Sequence, residues 1–105
     1  MAVIVTAQVH GQTEAGYDGM LSVLADLARQ ADGFVLHSAY RAADASWHVV
    51  EVWQTKQQAN QFFAKHVAPH LPPGVHPKRT LYEAHSLVLG PLAEQLAAQP
   101  LAQAS

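Results

Sequence analysis

The chain has 105 residues, 50% of them hydrophobic and 13% charged, with a formal net charge of −2. That is the size and composition of one globular domain; disorder needs the opposite balance, and a chain with no block of like charges offers nucleic acid no electrostatic footprint. Cysteine is absent, which excludes a disulfide scaffold, thiolate chemistry and cysteine-based zinc sites.

Ala2 to His10 is rich in β-branched residues. Val3, Val5 and Val9 alternate with Ile4 on the other side, a pattern that predicts a strand buried on both faces. The apolar run ends at Gln8 and no basic segment precedes it. It is too short for a signal peptide or a membrane span, so a cytoplasmic protein with no membrane partner is expected. Thr13 suits a helix N-cap, and Tyr17, Met20, Leu21, Leu24, Leu27, Ala28 and Ala31 then repeat at helical spacing on one face. Gly33 fits a left-handed helix stop.

Phe34 to Arg41 and Trp47 to Gln54 predict two strands joined by the short turn Ala43–Ser46, hence a hairpin. Thr55 and Gln58 form a capping-box pattern. The helix that follows carries Ala59, Phe62, Phe63, His66 and Val67 on its apolar face and is expected to end at Pro69. A proline-rich loop, 70–77, leads to a fourth strand expected over Arg79 to Leu89. The domain spans 1–90; the tail, 91–105, is expected to hold a short helix around Leu92 to Ala98 or to stay loose.

This order of elements predicts an α+β, ferredoxin-like β-α-β-β-α-β domain with a four-stranded antiparallel sheet and both helices on one face. Strands one and four are apolar on both faces, and no third layer exists in the chain. A second copy is the economical cover, so a homodimer with a two-fold seam is expected.

The residues resemble the dimeric α+β barrel superfamily, and within it the antibiotic biosynthesis monooxygenase-like group. The matching words are Val49-Val50-Glu51-Val52-Trp53-Gln54, then Ala59-x-x-Phe62-Phe63-x-x-His66, then Ala68-Pro69-His70-Leu71. The resemblance spans residues 2 to 89. It implies a monooxygenase that oxidises a small aromatic or polycyclic compound with oxygen and no bound cofactor. It also leaves open a dimeric binding module without turnover, or haem binding through His66. Haem-degrading relatives carry an Asn on strand one and a Trp on helix two. This chain has Thr6 and Gln8 in that part of strand one and no Trp between Gln57 and Lys65.

Among the candidate site residues, His66 shares a helical face with Phe62 and Phe63 and is expected to overlook a helix–sheet cleft as acid, base or ligand contact. The competing reading is a hydrogen-bonded histidine at the core edge. Glu51 lies on the same side of strand three as Trp47, Val49 and Trp53. A carboxylate so flanked is either paired or shifted in pKa, or else bridges to Arg41 or Arg79 at the dimer seam. His37, Tyr40 and Tyr82 are placed as candidate lining of the same cavity, with Trp53, Phe62 and Phe63 as aromatic ligand contacts, and Tyr17 is assigned to core. His66 and His70 have the i, i+4 spacing of a metal pair, but Pro69 interrupts it and a third ligand is missing, so no metal is expected. No phosphate loop, nucleophile elbow or paired-carboxylate motif occurs.

Overall fold

The computed structural model of the chain describes residues 2–93. The sheet consists of β1 (Val3–Val9), β2 (Phe34–Arg41), β3 (Trp47–Trp53) and β4 (Lys78–Glu83). Helix α1 (Glu14–Gln30) connects β1 to β2, and helix α2 (Lys56–Phe62) follows β3. The strand order is β2-β3-β1-β4 and every pairing is antiparallel. This is the expected ferredoxin-like α+β architecture, with β1 and β3 central.

Both helices start on the caps that their sequences offer. Thr13 Oγ1 accepts the Gly16 N–H at 3.0 Å. At α2 the Gln58 N–H donates to Thr55 Oγ1 at 3.2 Å while the Thr55 N–H donates to Gln58 Oε1 at 3.1 Å. Such caps contribute about 1 kcal/mol each. Gly33 adopts φ +83, which only glycine takes without strain, and its carbonyl accepts the Gln54 N–H at 2.7 Å. A Cβ on Gly33 would overlap the Gln58 side-chain amide. The end of α1 and the start of α2 therefore interlock at one glycine.

The core lies on one face of the sheet. Val3, Val5, Trp53, Ala59 and Phe62 form one buried cluster, with Ala28, Ala31 and Phe34 packed against it. Val9, Trp47 and Val75 form a second, flanked by Tyr17 and Leu71. The register pairs Val3 with Trp53, Val5 with Glu51 and Val9 with Trp47, so all the sheet members share that face. No core cluster forms on the opposite face among the described residues. There Ile4 is half-buried rather than buried, and Tyr40 and Tyr82 are 57% and 56% exposed. The expected burial of β1 on both sides thus holds for Val3, Val5 and Val9 only, because nothing within the described chain covers the far side.

Two elements depart from the sequence pattern. β4 ends at Glu83, not Leu89, because its partner runs out. Glu83 is opposite Val3, and the Ala84 N–H makes the last bond, to Ala2 O at 2.8 Å. Leu87, Val88 and Leu89 are exposed beyond it. The second helix is α-helical only to Phe62. It widens into a π-helical turn, Phe63–Val67, closed by the Ala68 N–H on Phe63 O, then tightens into a 3-10 turn, Ala68–His70, that contains Pro69. Most of the segment expected to be helical near the C-terminus lies outside the described residues.

Candidate active site between the helices and the sheet

The site depends on a β-bulge. On β2, Phe34 pairs with Trp53 but Leu36 pairs with Val52, so Val35 is an extra residue. Strict alternation would send Phe34 and His37, three apart, to opposite faces. The bulge lets both face the helices. Phe34 packs edge-on against Trp53, with ring centroids 5.2 Å apart. His37 comes to stand opposite Glu51, its partner across β3.

A continuous hydrogen-bonded chain results. The Trp53 indole N–H donates to Glu51 Oε1 at 3.0 Å. Glu51 Oε2 lies 2.7 Å from His37 Nδ1, and His37 Nε2 lies 2.6 Å from the Tyr17 hydroxyl. A carboxylate only accepts, so Nδ1 carries the hydrogen. In the neutral ring Nε2 is then a lone pair that accepts from Tyr17. The Tyr17 ring is held by stacking on Trp47 at 5.0 Å and 14°.

Burial acts to raise the Glu51 carboxyl. The His37 hydrogen bond and charge, the Trp53 N–H and the charge of Arg79 outweigh it and hold the carboxyl below its ordinary value. Burial, then the charges of Glu51 and Asp18, pushes the Tyr17 hydroxyl up to about 12. Near neutral pH Glu51 is therefore a carboxylate that orients the His37 ring, and Tyr17 keeps its proton.

Tyr17, His37 and Glu51 line a cavity of about 820 Å³ between helices and sheet. Its walls are mostly apolar and include Val5, Val9, Met20, Leu21, Leu24, Phe34, Phe62, Phe63 and Leu71. Arg79 also lines it. Its guanidinium lies 4.2 Å from the centre of the Phe63 ring and donates to Asn60 Oδ1 at 3.1 Å. This volume and lining suit a ligand of drug-like size with a flat apolar body.

The structure brings together only some of the residues singled out in the sequence. Glu51, His37, Phe62 and Phe63 meet at the cavity. Trp53 is 1% exposed and reaches the site only through its bond to Glu51. Tyr40 and Tyr82 do not line the cavity. Tyr40 follows His37 by three residues with no further bulge, and Tyr82 follows the inward Leu81 by one, so alternation turns both to the far face. His66 is not among the lining residues either. The π-helical turn has a longer repeat than an α-helix, and Val67 takes the cavity position beyond Phe62 and Phe63. The His66 ring packs at 4.9 Å on Phe62, and its carbonyl accepts from His70 Nδ1 at 2.7 Å. Among the described residues no group of three or more His, Cys, Asp or Glu converges as a metal requires, and no helix is long and apolar enough to cross a membrane.

Sequence reasoning assigns Tyr17 to the core, and it does pack against the Val9–Trp47–Val75 cluster, but its bond to His37 and its place on the cavity wall are not anticipated. A signal is available, since Tyr17 is the one aromatic on an otherwise aliphatic helix face. The bulge at Val35 has no sequence signal.

The fold and the cavity define a ferredoxin-like α+β domain with a ligand-sized chamber under its helices. Its likeness among solved structures is to antibiotic biosynthesis monooxygenase-like proteins. SnoaB, a cofactor-independent oxygenase from Streptomyces nogalater, superposes with a TM-score of 0.65 at 21% identity, over 83% of this chain and 96% of that one. A Deinococcus radiodurans protein, proposed as an antibiotic biosynthesis monooxygenase, gives 0.65 at 22% identity, over 83% and 96%. A point mutant of MhuD, with two manganese protoporphyrin IX molecules per active site, gives 0.60 at 16% identity, over 86% and 100%. No family model and no curated protein matches the sequence. The likeness is one of fold.

Proposed function

We propose that this protein is a cofactor-independent oxygenase of small fused-ring aromatic compounds, with His37 as its general base. The observation that carries the proposal is the Glu51–His37 pair opening on an apolar cavity of about 820 Å³. Glu51 fixes the tautomer of His37 and stabilises the imidazolium formed when Nε2 takes a proton, the division of labour found in histidine–carboxylate pairs generally. A positioned base of this kind contributes about 10²–10⁴ in rate.

A substrate that reacts with oxygen unaided must itself supply the electrons. A CH₂ flanked by two aromatic rings, and conjugated through them to a carbonyl, does so once deprotonated. His37 removes one proton, the carbanion transfers an electron to O₂, and recombination forms a peroxide. Loss of water leaves a new C=O, so that R₂CH₂ and O₂ give R₂C=O and H₂O. In this scheme the substrate takes the place of the Tyr17 hydroxyl at Nε2, and Tyr17, still protonated, donates to the developing oxyanion. Phe62 and Phe63 provide flat surfaces for the rings. The kinship of fold with SnoaB supports the reaction type. Haem binding through His66 gains no support from the cavity lining.

The working unit in this proposal is a homodimer closed by the far face of the sheet, where Ile4, Tyr40 and Tyr82 await cover. Light scattering is expected to give a dimer mass at micromolar concentration; a stable monomer would contradict the seam. The activity is tested by oxygen uptake with a hydroxylated anthrone. One O₂ consumed per ketone formed, with kcat lowered about 10²–10⁴-fold in His37→Ala, is the expected result. Equal uptake by wild type and variant would remove His37 from the mechanism.

A further inference from the structure

Arg79 is a cation placed where an apolar cavity has no evident use for one. It sits on the helix side of β4, opposite Ala7 of β1. Its guanidinium is fixed from two directions, by the Phe63 ring at 4.2 Å and by Asn60 Oδ1 at 3.1 Å. Among the described residues no carboxylate lies within 4.0 Å of it, whereas the other arginine of the cavity lining, Arg29, is paired with Asp26 at 2.6 Å. Burial lowers the Arg79 pKa and the charge of Glu51 partly restores it, which places the guanidinium within electrostatic reach of the Glu51 carboxylate without contact. A guanidinium has five N–H donors, and Asn60 engages one. A partly desolvated, preoriented fork with spare donors matches a carboxylate, which it binds in bidentate fashion.

Position adds to this. His37 lies on β2 and Arg79 on β4, the two edges of the sheet. The strands stand three inter-strand steps apart, about 14 Å at the backbone. A ligand that presents a proton to His37 at one end and meets Arg79 at the other has a fused-ring body with its acidic group at the far end. The apolar lining between them accommodates that body.

We propose that Arg79 is the specificity residue for an aromatic carboxylate, so that the substrates of this site are fused-ring aromatic acids. This rests on the reading of the cavity as an aromatic-ligand site and refines it. Isothermal titration with 2-anthracenecarboxylate and with its neutral carboxamide separates the two. In the wild type the carboxylate is expected to bind at least about tenfold more tightly than the amide, the lower range for a charge-assisted bidentate pair. Arg79→Gln is expected to lose that preference and bind both compounds about as the wild type binds the amide. Arg79→Lys is expected to retain part of it, and serves if the glutamine variant does not fold. Equal binding of acid and amide by the wild type, or an undiminished preference in Arg79→Gln, would overturn the assignment while leaving the aromatic cavity intact. Failure of both compounds to bind the wild type would overturn both readings.

Discussion

His37 and His48 sit on neighbouring strands, each beside a tyrosine and each in a hydrogen-bonded group that includes an acid. Their surroundings make them different groups. His48 Nε2 bonds Ser46 Oγ at 3.0 Å, and the Ser46 hydroxyl donates to Asp44 Oδ1 at 2.5 Å. Tyr40 stacks on His48 at 5.1 Å and 10°. That cluster occupies the hairpin end and the far face, where Tyr40 is 57% exposed. Its hydrogen bonds satisfy a turn, and Ser46 bonds lower the Asp44 carboxyl. His37 lies under α1 instead, bonded on both ring nitrogens, against an apolar chamber. Each group holds a histidine, a carboxylate and a tyrosine. What sets the His37 group apart is the layer over it, which puts the His37–Tyr17 bond on the wall of an apolar cavity.

The largest expected difference is kinetic. His37→Ala is expected to lower kcat about 10²–10⁴-fold in the oxygen-uptake assay, whereas His48→Ala leaves it within about twofold. Similar losses in both would erase the contrast. Next comes stability. Trp53 is fully buried beneath Glu51 and is packed by Phe34 and Phe62. Trp53→Ala is expected to cost about 3–5 kcal/mol in denaturant unfolding, while Tyr40→Phe on the far face stays within about 0.5 kcal/mol.

Two smaller effects depend on pH. The folded state holds the Tyr17 proton up to about pH 12, against 10.0 for the free group. The unfolded chain therefore releases that proton first as pH rises, and the stability linked to Tyr17 is complete below pH 10 and lost towards pH 12. Melts across that window are expected to show this loss in the wild type and not in Tyr17→Phe. Glu51 has the opposite sign. Its folded carboxyl lies below the ordinary 4.5, so the stability it contributes is present above that value and lost as pH falls through the lower folded value. The gap in stability between the wild type and Glu51→Gln is expected to be constant near neutrality and to narrow only in acid. A gap that widened in acid would contradict the sign.

The architecture was legible because local signals agreed with one another. The caps at Thr13 and Thr55, the glycine stop at Gly33 and the hairpin between Arg41 and Trp47 all name their elements in the sequence. Glu51 was legible as a paired carboxylate because a carboxylate on the same strand face as two tryptophans demands a partner. The partner was not legible. It depends on the parity of β2, which one extra residue at Val35 reverses, and residue type does not announce a bulge. His66 stands out in the sequence for a related reason. Its spacing to Phe62 predicts the ring contact that the structure shows, but within the π-helical turn it is Val67, not His66, that lines the cavity. The end of β4 was hidden because a strand stops where its partner stops, and that is settled by β1, at the opposite end of the domain's sequence.

The central claim is that His37 accepts a proton from an aromatic ligand in the cavity. Absorbance titration of a hydroxylated fused-ring phenol tests it without turnover. At a pH about one unit below the free phenol's pKa, binding to the wild type is expected to raise the phenolate band, and binding to His37→Gln is expected to leave the bound phenol neutral. A phenol that stays neutral on the wild type, or ionises equally on both proteins, would contradict the claim.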